Sequence, residues 1–173
     1  MIVALLAAPI LSLVLAQEAM QFSRHPVSGV VIQHPSSWEA VVTTSYIAAV
    51  SPADDVADLY RENVTIMLQP VVRGTTLAAY AQSAQQALSN PDEGGTGVVM
   101  TDTSWAKSPA VRFTYSVRRE IQGVQRTLRF MQVMRMLYDD VVMISTYAAD
   151  SVKYESHLSV ASAINESVFI QPR

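Results

Sequence analysis

Around Gln122-Gly123 the sequence runs as a mirrored alternation, and few folds accept that pattern. Val111, Phe113, Tyr115 and Val117 alternate with polar residues on the approach, and Leu128, Phe130 and Met134 alternate on the return. A two-residue loop at Gln122-Gly123 pairs residues whose numbers sum to 245, which puts both apolar rows, with Gln132 among them, on one face. A slip of one residue would turn the whole apolar set to the other face, so the alternation specifies the register. The opposite face then carries Arg112, Thr114, Ser116 and Arg118 beside Thr127, Arg129, Met131, Val133 and Arg135. A second turn at Asp139-Asp140 returns the chain through residues 141–147, apolar on both faces, as expected of an interior strand covered from both sides. The second half therefore predicts a three-stranded antiparallel meander.

The first half is read as organised around Gly29-Val30-Val31-Ile32-Gln33-His34-Pro35-Ser36-Ser37-Trp38, a buried strand, a tight corner and a large aromatic anchor. Short strands are predicted over residues 21–26 and 29–32, and a Val- and Thr-rich strand over 39–46. Residues 51–55 form a polar connection, and 63–70 a further strand closed by Pro70. Then the period changes. Leu77, Tyr80, Ala84 and Leu88 are spaced by three and four, so residues 76–89 predict an amphipathic helix capped by Thr75 or Thr76 and stopped by the Asn90-Pro91 region. Tyr154, Leu158, Ala161 and Ile164 predict a second helix, with Asp150 or Ser151 as its cap. With 173 residues, 50% of them hydrophobic and 16% charged, one α+β domain over residues 17–173 is expected, an antiparallel sheet with helices on one or both faces.

Residues 2–16 hold no charge and end in Val14-Leu15-Ala16 before polar Gln17-Glu18, as in the apolar core and cleavage site of a secretory signal peptide, although no Lys or Arg precedes Arg24. The rival reading is an N-terminal anchor. A helix of that run would rise only about 22 Å against roughly 30 Å of hydrocarbon, and Pro9 interrupts it. An extracytoplasmic location, in the periplasm or a lumen, is expected, with membrane association through residues 2–16 as the alternative. The chain has no cysteine, which removes disulfides, thiolate metal sites and a cysteine nucleophile.

Several short motifs resemble one family: the glycine that opens an apolar strand before His34-Pro35 and Trp38, Asn63-Val64 opening a strand, Thr76-Leu77 with Tyr80 opening a helix, Thr146-Tyr147-Ala148 and Tyr154-Glu155. Together with the arginine-bearing meander they resemble the PsbP-like superfamily, in particular its bacterial DcrB-type branch, over roughly residues 22–170. The resemblance implies an α/β/α sandwich around a central antiparallel sheet. It also implies a binding or accessory subunit without chemistry of its own. Members include extrinsic subunits of photosystem II, bacterial envelope proteins, a nuclear-import factor that binds a small GTPase, and chaperones for secreted effectors.

The charge distribution supplies the candidate site. Between Lys107 and Arg135 lie seven basic residues and one acid, a local charge of +6 that leaves −9 on the remainder of a chain with a formal total of −3. Arg112, Arg118, Arg129 and Arg135 share one face of the predicted meander, where guanidinium groups can engage carboxylate or phosphate in a bidentate manner. They are the candidate partner-binding residues, and an acidic protein or membrane-complex subunit is the expected partner, with anionic lipid head groups as a second possibility. The same arginines would also suit a solvated face that pairs with nearby acids and discourages edge pairing. A pI near 5.5 argues against nucleic acid.

Other motifs point to structure. His25, His34 and His157 are dispersed, without the spacing of a zinc site. Asp54, Asp55 and Asp58, like Asp139-Asp140, lack the alternating ligands and central glycine of a calcium loop, so charged turns are expected. Ser36-Ser37 beside His34 has no nucleophile elbow around it, and Gly94-Gly95-Thr96-Gly97 lacks the lysine of a phosphate loop. Met131, Met134, Met136 and Met143 suit core filling or an adaptable surface. Asn63 and Asn165 open chance glycosylation patterns. The expectation is a protein that is not an enzyme and takes no cofactor or metal. It would act as an exported accessory protein, with a small-ligand or cation-binding module or an effector chaperone as alternatives.

Overall fold

In the computed structural model, residues 18–55, 58–90 and 94–171 are described; the predicted leader at 2–16 lies outside them. The mirrored alternation becomes a long hairpin. β-strands numbered in chain order are β1 (Met20–Arg24), β2 (Val30–Pro35), β3 (Glu39–Val42), β4 (Tyr46–Val50), β5 (Asn63–Pro70), β6 (Gly95–Trp105), β7 (Ser108–Ile121), β8 (Val124–Tyr138), β9 (Val141–Asp150) and β10 (Phe169–Ile170). The helices are α1 (Leu77–Leu88) and α2 (Tyr154–Glu166). Seven strands form one antiparallel sheet in the order β3-β4-β5-β9-β8-β7-β6, and β1-β2-β10 form a second, smaller one. Val111 pairs with Met134, Phe113 with Gln132 and Val117 with Leu128, the register that the turn at Gln122-Gly123 implies. β9 lies between β5 and β8, in the interior of the sheet.

Two cores sit on the two faces. Val111, Phe113, Tyr115, Val117, Met134, Val142 and Ile144 are buried beneath α1 with Ala81. Met131, Val133, Met143, Tyr147 and Ala149 point the other way, into a core shared with Ile164 and Tyr154 of α2 and with Val30, Ile32 and Trp38. The result is an α+β arrangement with one helix on each face of the large sheet. Met131, Met134 and Met143 are buried, so those three fill the cores. Helix α1 is capped as predicted: the Thr76 hydroxyl accepts the Ala79 N–H at 3.2 Å.

Four predictions require correction. Residues 39–46 are not one strand. The Thr43 hydroxyl accepts the N–H groups of Ser45 and Tyr46, both at 3.2 Å, which folds a tight turn between β3 and β4. The meander has a fourth strand, β6, beside β7. Helix α2 begins after Lys153, with no side chain capping it. Asp150 instead closes the turn before it, its carboxylate accepting the Val152 N–H at 3.1 Å and pairing with Arg126 at 3.4 Å. Finally, the sheet is not single, because Val30 and Val31 of β2 pair with β10 rather than with the large sheet. That closure needs a glycine at position 29: its φ is +72° and an added Cβ would lie 2.5 Å from the Gln171 carbonyl oxygen.

Gly95 stands where β6 passes the end of α1, and an added Cβ would lie 2.1 Å from the Leu88 carbonyl oxygen. Gly95→Ala is expected to destabilise the protein by about 2 kcal/mol or more through overpacking. Thr76→Ala is expected to cost about 1 kcal/mol through loss of the cap. Urea denaturation midpoints check both; a Gly95→Ala midpoint equal to wild type would mean that β6 does not pack against α1 as described.

Candidate functional site

Strand alternation places Arg112, Arg118, Arg129 and Arg135 on the α2 side of the large sheet, in the rows that also hold Met131 and Val133. Helix α2 lies across β9 and β5 and against β2. Of the flank made by β6 and β7, the end at Trp105 and Ala110 is buried against α2, whereas Val99, Thr101, Arg112 and Arg118 are exposed. There Thr101 stands opposite Arg112 and Val99 opposite Thr114, while Arg129 on β8 stands opposite Ser116.

The four guanidinium groups meet different surroundings. Arg129 donates to the Glu155 carboxylate at 2.8 Å, and its guanidinium carbon lies 4.2 Å from the centre of the Tyr154 ring. This pair forms the border of α2 and remains half-exposed. Arg135 sits at the other end of the face, donating to the Ser108 hydroxyl at 3.1 Å and lying 5.4 Å from the centre of the Trp105 ring. Its buried Nε has no partner among the described residues, and burial draws its pKa below the ordinary arginine value. Arg112 and Arg118 are exposed, and among the described residues neither makes an ion pair or hydrogen bond through its guanidinium. Arg112 also borders a small cavity of about 120 Å³ with Trp105, Ser162 and Glu166. The Tyr154 phenol has a raised pKa: burial and the Glu155 carboxylate push it up, against the opposing charges of Arg129 and Arg112. The fold thus gathers Arg112 and Arg129 around the rim of α2, continues to Arg118 along β7, and draws Arg135 inward.

Buried polar groups hold α2 in place. The Trp105 indole N–H donates to the Asn165 carbonyl oxygen at 2.7 Å, and the Ser145 hydroxyl bonds the Asn165 side chain. Asn165, of the glycosylation pattern, is therefore buried in the core interface. Tyr147 donates to the Tyr154 carbonyl oxygen at 2.8 Å. His34, buried within β2, donates from Nδ1 to the Pro35 carbonyl oxygen at 3.0 Å and accepts from Ser23 at 2.9 Å, not from Ser36 or Ser37. His25 spans Thr43 and Ser28, at 2.8 and 3.0 Å.

The aspartate turn is met by a cation that sequence reasoning passed over. Lys153 contacts Asp54 at 2.8 Å and Asp58 at 3.0 Å. Beside it, Glu62 is 1% exposed, accepts from the Ser51 hydroxyl at 3.1 Å and lies 3.9 Å from His157. Nothing in the sequence marks Glu62 as buried, because it precedes β5 among polar residues. Among the described residues no group of three or more His, Asp or Glu is placed to hold a metal ion, and no helix is long and apolar enough to cross a membrane.

No protein-family model matches the chain, and no curated protein matches it. Solved structures do. LpqN of Mycobacterium tuberculosis, described as involved in cell envelope biogenesis, superposes with a TM-score of 0.61 at 17% identity, covering 89% of this chain and 91% of that one. The cyanobacterial PsbP, CyanoP, of Synechocystis gives a TM-score of 0.55 at 8% identity, covering 91% and 95%. The Ran-binding protein Mog1p of Saccharomyces cerevisiae gives 0.56 at 10% identity, covering 89% and 96%. The chain has the PsbP-like fold.

Asp58 is the most constrained carboxylate of the turn. Burial raises its pKa, but hydrogen bonds from the Asp54 and Tyr60 N–H groups and from Lys153 outweigh that, leaving it below the ordinary 3.8. A carboxyl depressed in the folded state stabilises above its unfolded pKa, and that contribution disappears as pH falls through the folded value. Asp58→Asn is therefore expected to cost about 2 kcal/mol at neutral pH, and progressively less as pH falls below 3.8. Urea titrations at pH 7 and in acid measure it; a pH-independent cost would contradict the ionised pair.

Proposed function

We propose that this chain is an exported, non-enzymatic accessory protein of the cell envelope that docks on an acidic protein through the arginine-bearing face of the meander. The observation that carries this reading is the pair of exposed guanidinium groups, Arg112 and Arg118, on the part of the sheet that α2 leaves open, with the half-exposed Arg129 at the border of that helix. A stretch with a local charge of +6 in a chain of formal charge −3 creates a field suited to steering an acidic partner. Arg135 supports the same face from beneath by holding Trp105 and Ser108.

Two things support an envelope setting. Residues 2–16 read as a secretory leader before a domain over 17–173. The fold is also that of LpqN, described as involved in cell envelope biogenesis. Mog1p, of the same fold, is described as a Ran-binding protein, which supports protein recognition as the task.

The test is capture of the tagged full-length protein from its native envelope at low and raised salt, alongside an Arg112→Gln, Arg118→Gln double variant. The wild-type complex is expected to be released by salt. The variant is expected to bind at least about tenfold more weakly, with a shallower salt dependence and an unchanged urea midpoint. Retention of full affinity by a folded double variant would overturn the arginine-docking reading.

A further inference from the structure

Strand β6 ends the large sheet on the same flank and pairs with β7 alone. Among the described residues, no backbone hydrogen bond leaves its outer edge. An exposed row of unpaired N–H and C=O groups is a template for another strand, and proteins usually blunt it with a short strand, lysine, proline or a covering element. β6 has none of these protections: it spans 11 residues without Lys or Pro and carries one charge, Asp102. Its one irregularity is a bulge between Thr96 and Val99, where Gly97 has φ +63°. From Val99 to Trp105 the pairing is regular. Val99 and Met100, 54% and 40% exposed, are successive residues and so offer one apolar seat on each face of the strand.

We infer that β6 accepts an extended acidic segment of a protein partner as an added strand along residues 99–105, with an acidic side chain facing Arg112 and the segment's acidic continuation directed toward Arg118 beyond the start of β6. The inference rests on the arginine face being a docking surface. It adds the chemistry of the partner and its mode of binding. An added strand would lie about 5 Å from β6, so its side chains stand about 10 Å from the β7 row. An arginine on β7 and a glutamate on the new strand close that gap by leaning over the small residue between them. Thr101, opposite Arg112, is such a residue. Main-chain bonds would then supply affinity and alternate side chains the selectivity, as in strand addition generally. A second copy of this chain is the poorer occupant, because pairing β6 with β6 brings no acid to either arginine row.

The test uses the full-length chain and a nine-residue end-capped peptide with glutamate at every second position and valine or threonine between. A second peptide of the same sequence is N-methylated throughout. Fluorescence anisotropy gives affinity, and amide hydrogen exchange reads β6. The expected result is binding of the plain peptide with at least tenfold slower exchange of amides between residues 99 and 105. The N-methylated peptide, and the Arg112→Gln, Arg118→Gln variant with the plain peptide, should each lose at least tenfold in affinity. Equal, arginine-dependent binding of both peptides with β6 amides unchanged would overturn strand addition while leaving arginine docking intact. Failure of the plain peptide to bind, while the native salt-sensitive complex persists, would do the same. Strand-like binding that ignores the arginine substitutions would overturn the docking reading and the acidic occupant together. Slow β6 exchange that rises with protein concentration in the absence of peptide would assign the edge to a second copy.

Discussion

The structure depends on the pairing register of β7, β8 and β9. Side chains alternate across a strand, so one choice of partner decides the destination of every residue in three long strands. With Phe113 opposite Gln132 and Met134 opposite Ile144, one set of apolar residues meets α1 and the complementary set meets α2. A shift by one residue would bring Arg112 and Arg129 beneath α1 and expose Phe113. The cost of burying unpaired guanidinium groups together with the lost apolar burial makes that alternative inaccessible.

The same register explains why the arginines occur where they do. They belong to the face that α2 only partly covers, so each is placed by its distance from that helix. Arg129 lies at the start of the helix and finds Glu155 and Tyr154; Arg112 stands by its far end, next to Ser162 and Glu166, and Arg118 lies beyond it, both exposed. Helix α2 is itself held by directional contacts, Trp105 and Ser145 on Asn165 at one end and Lys153 on two aspartates at the other. The buried, satisfied bonds at Asn165 add specificity of position to the apolar contacts beneath, and the partly exposed Lys153 pairs fix the opposite end. The border between covered and bare sheet is consequently a built feature of the fold.

The structural likeness reaches proteins whose descriptions differ widely, from cell envelope biogenesis to Ran binding. A scaffold used so variously locates no function by itself. In this chain one flank combines exposed arginines with an unprotected sheet edge.

Much of the architecture was legible in the sequence because it arises from local periodicity. Period-two alternation around Gln122-Gly123 determined the β7–β8 register, and spacings of three and four located α1 with Thr76 as its cap. The arginine row followed from the same alternation. Other features depend on contacts between distant residues and left no local trace. Thr43 splits a Val- and Thr-rich run through its own hydroxyl, while β10 exists because Gly29 lets the chain near Gln171 approach. Lys153, Glu62 and Asn165 gain their roles only when α2 meets the sheet. By itself, then, the sequence determined which residues share a strand face or helix stripe, since backbone geometry sets those periods. Only the tertiary structure decided which part of each face is covered, because coverage depends on where a helix lies, and with it which arginines stay free and which sheet edge stays open.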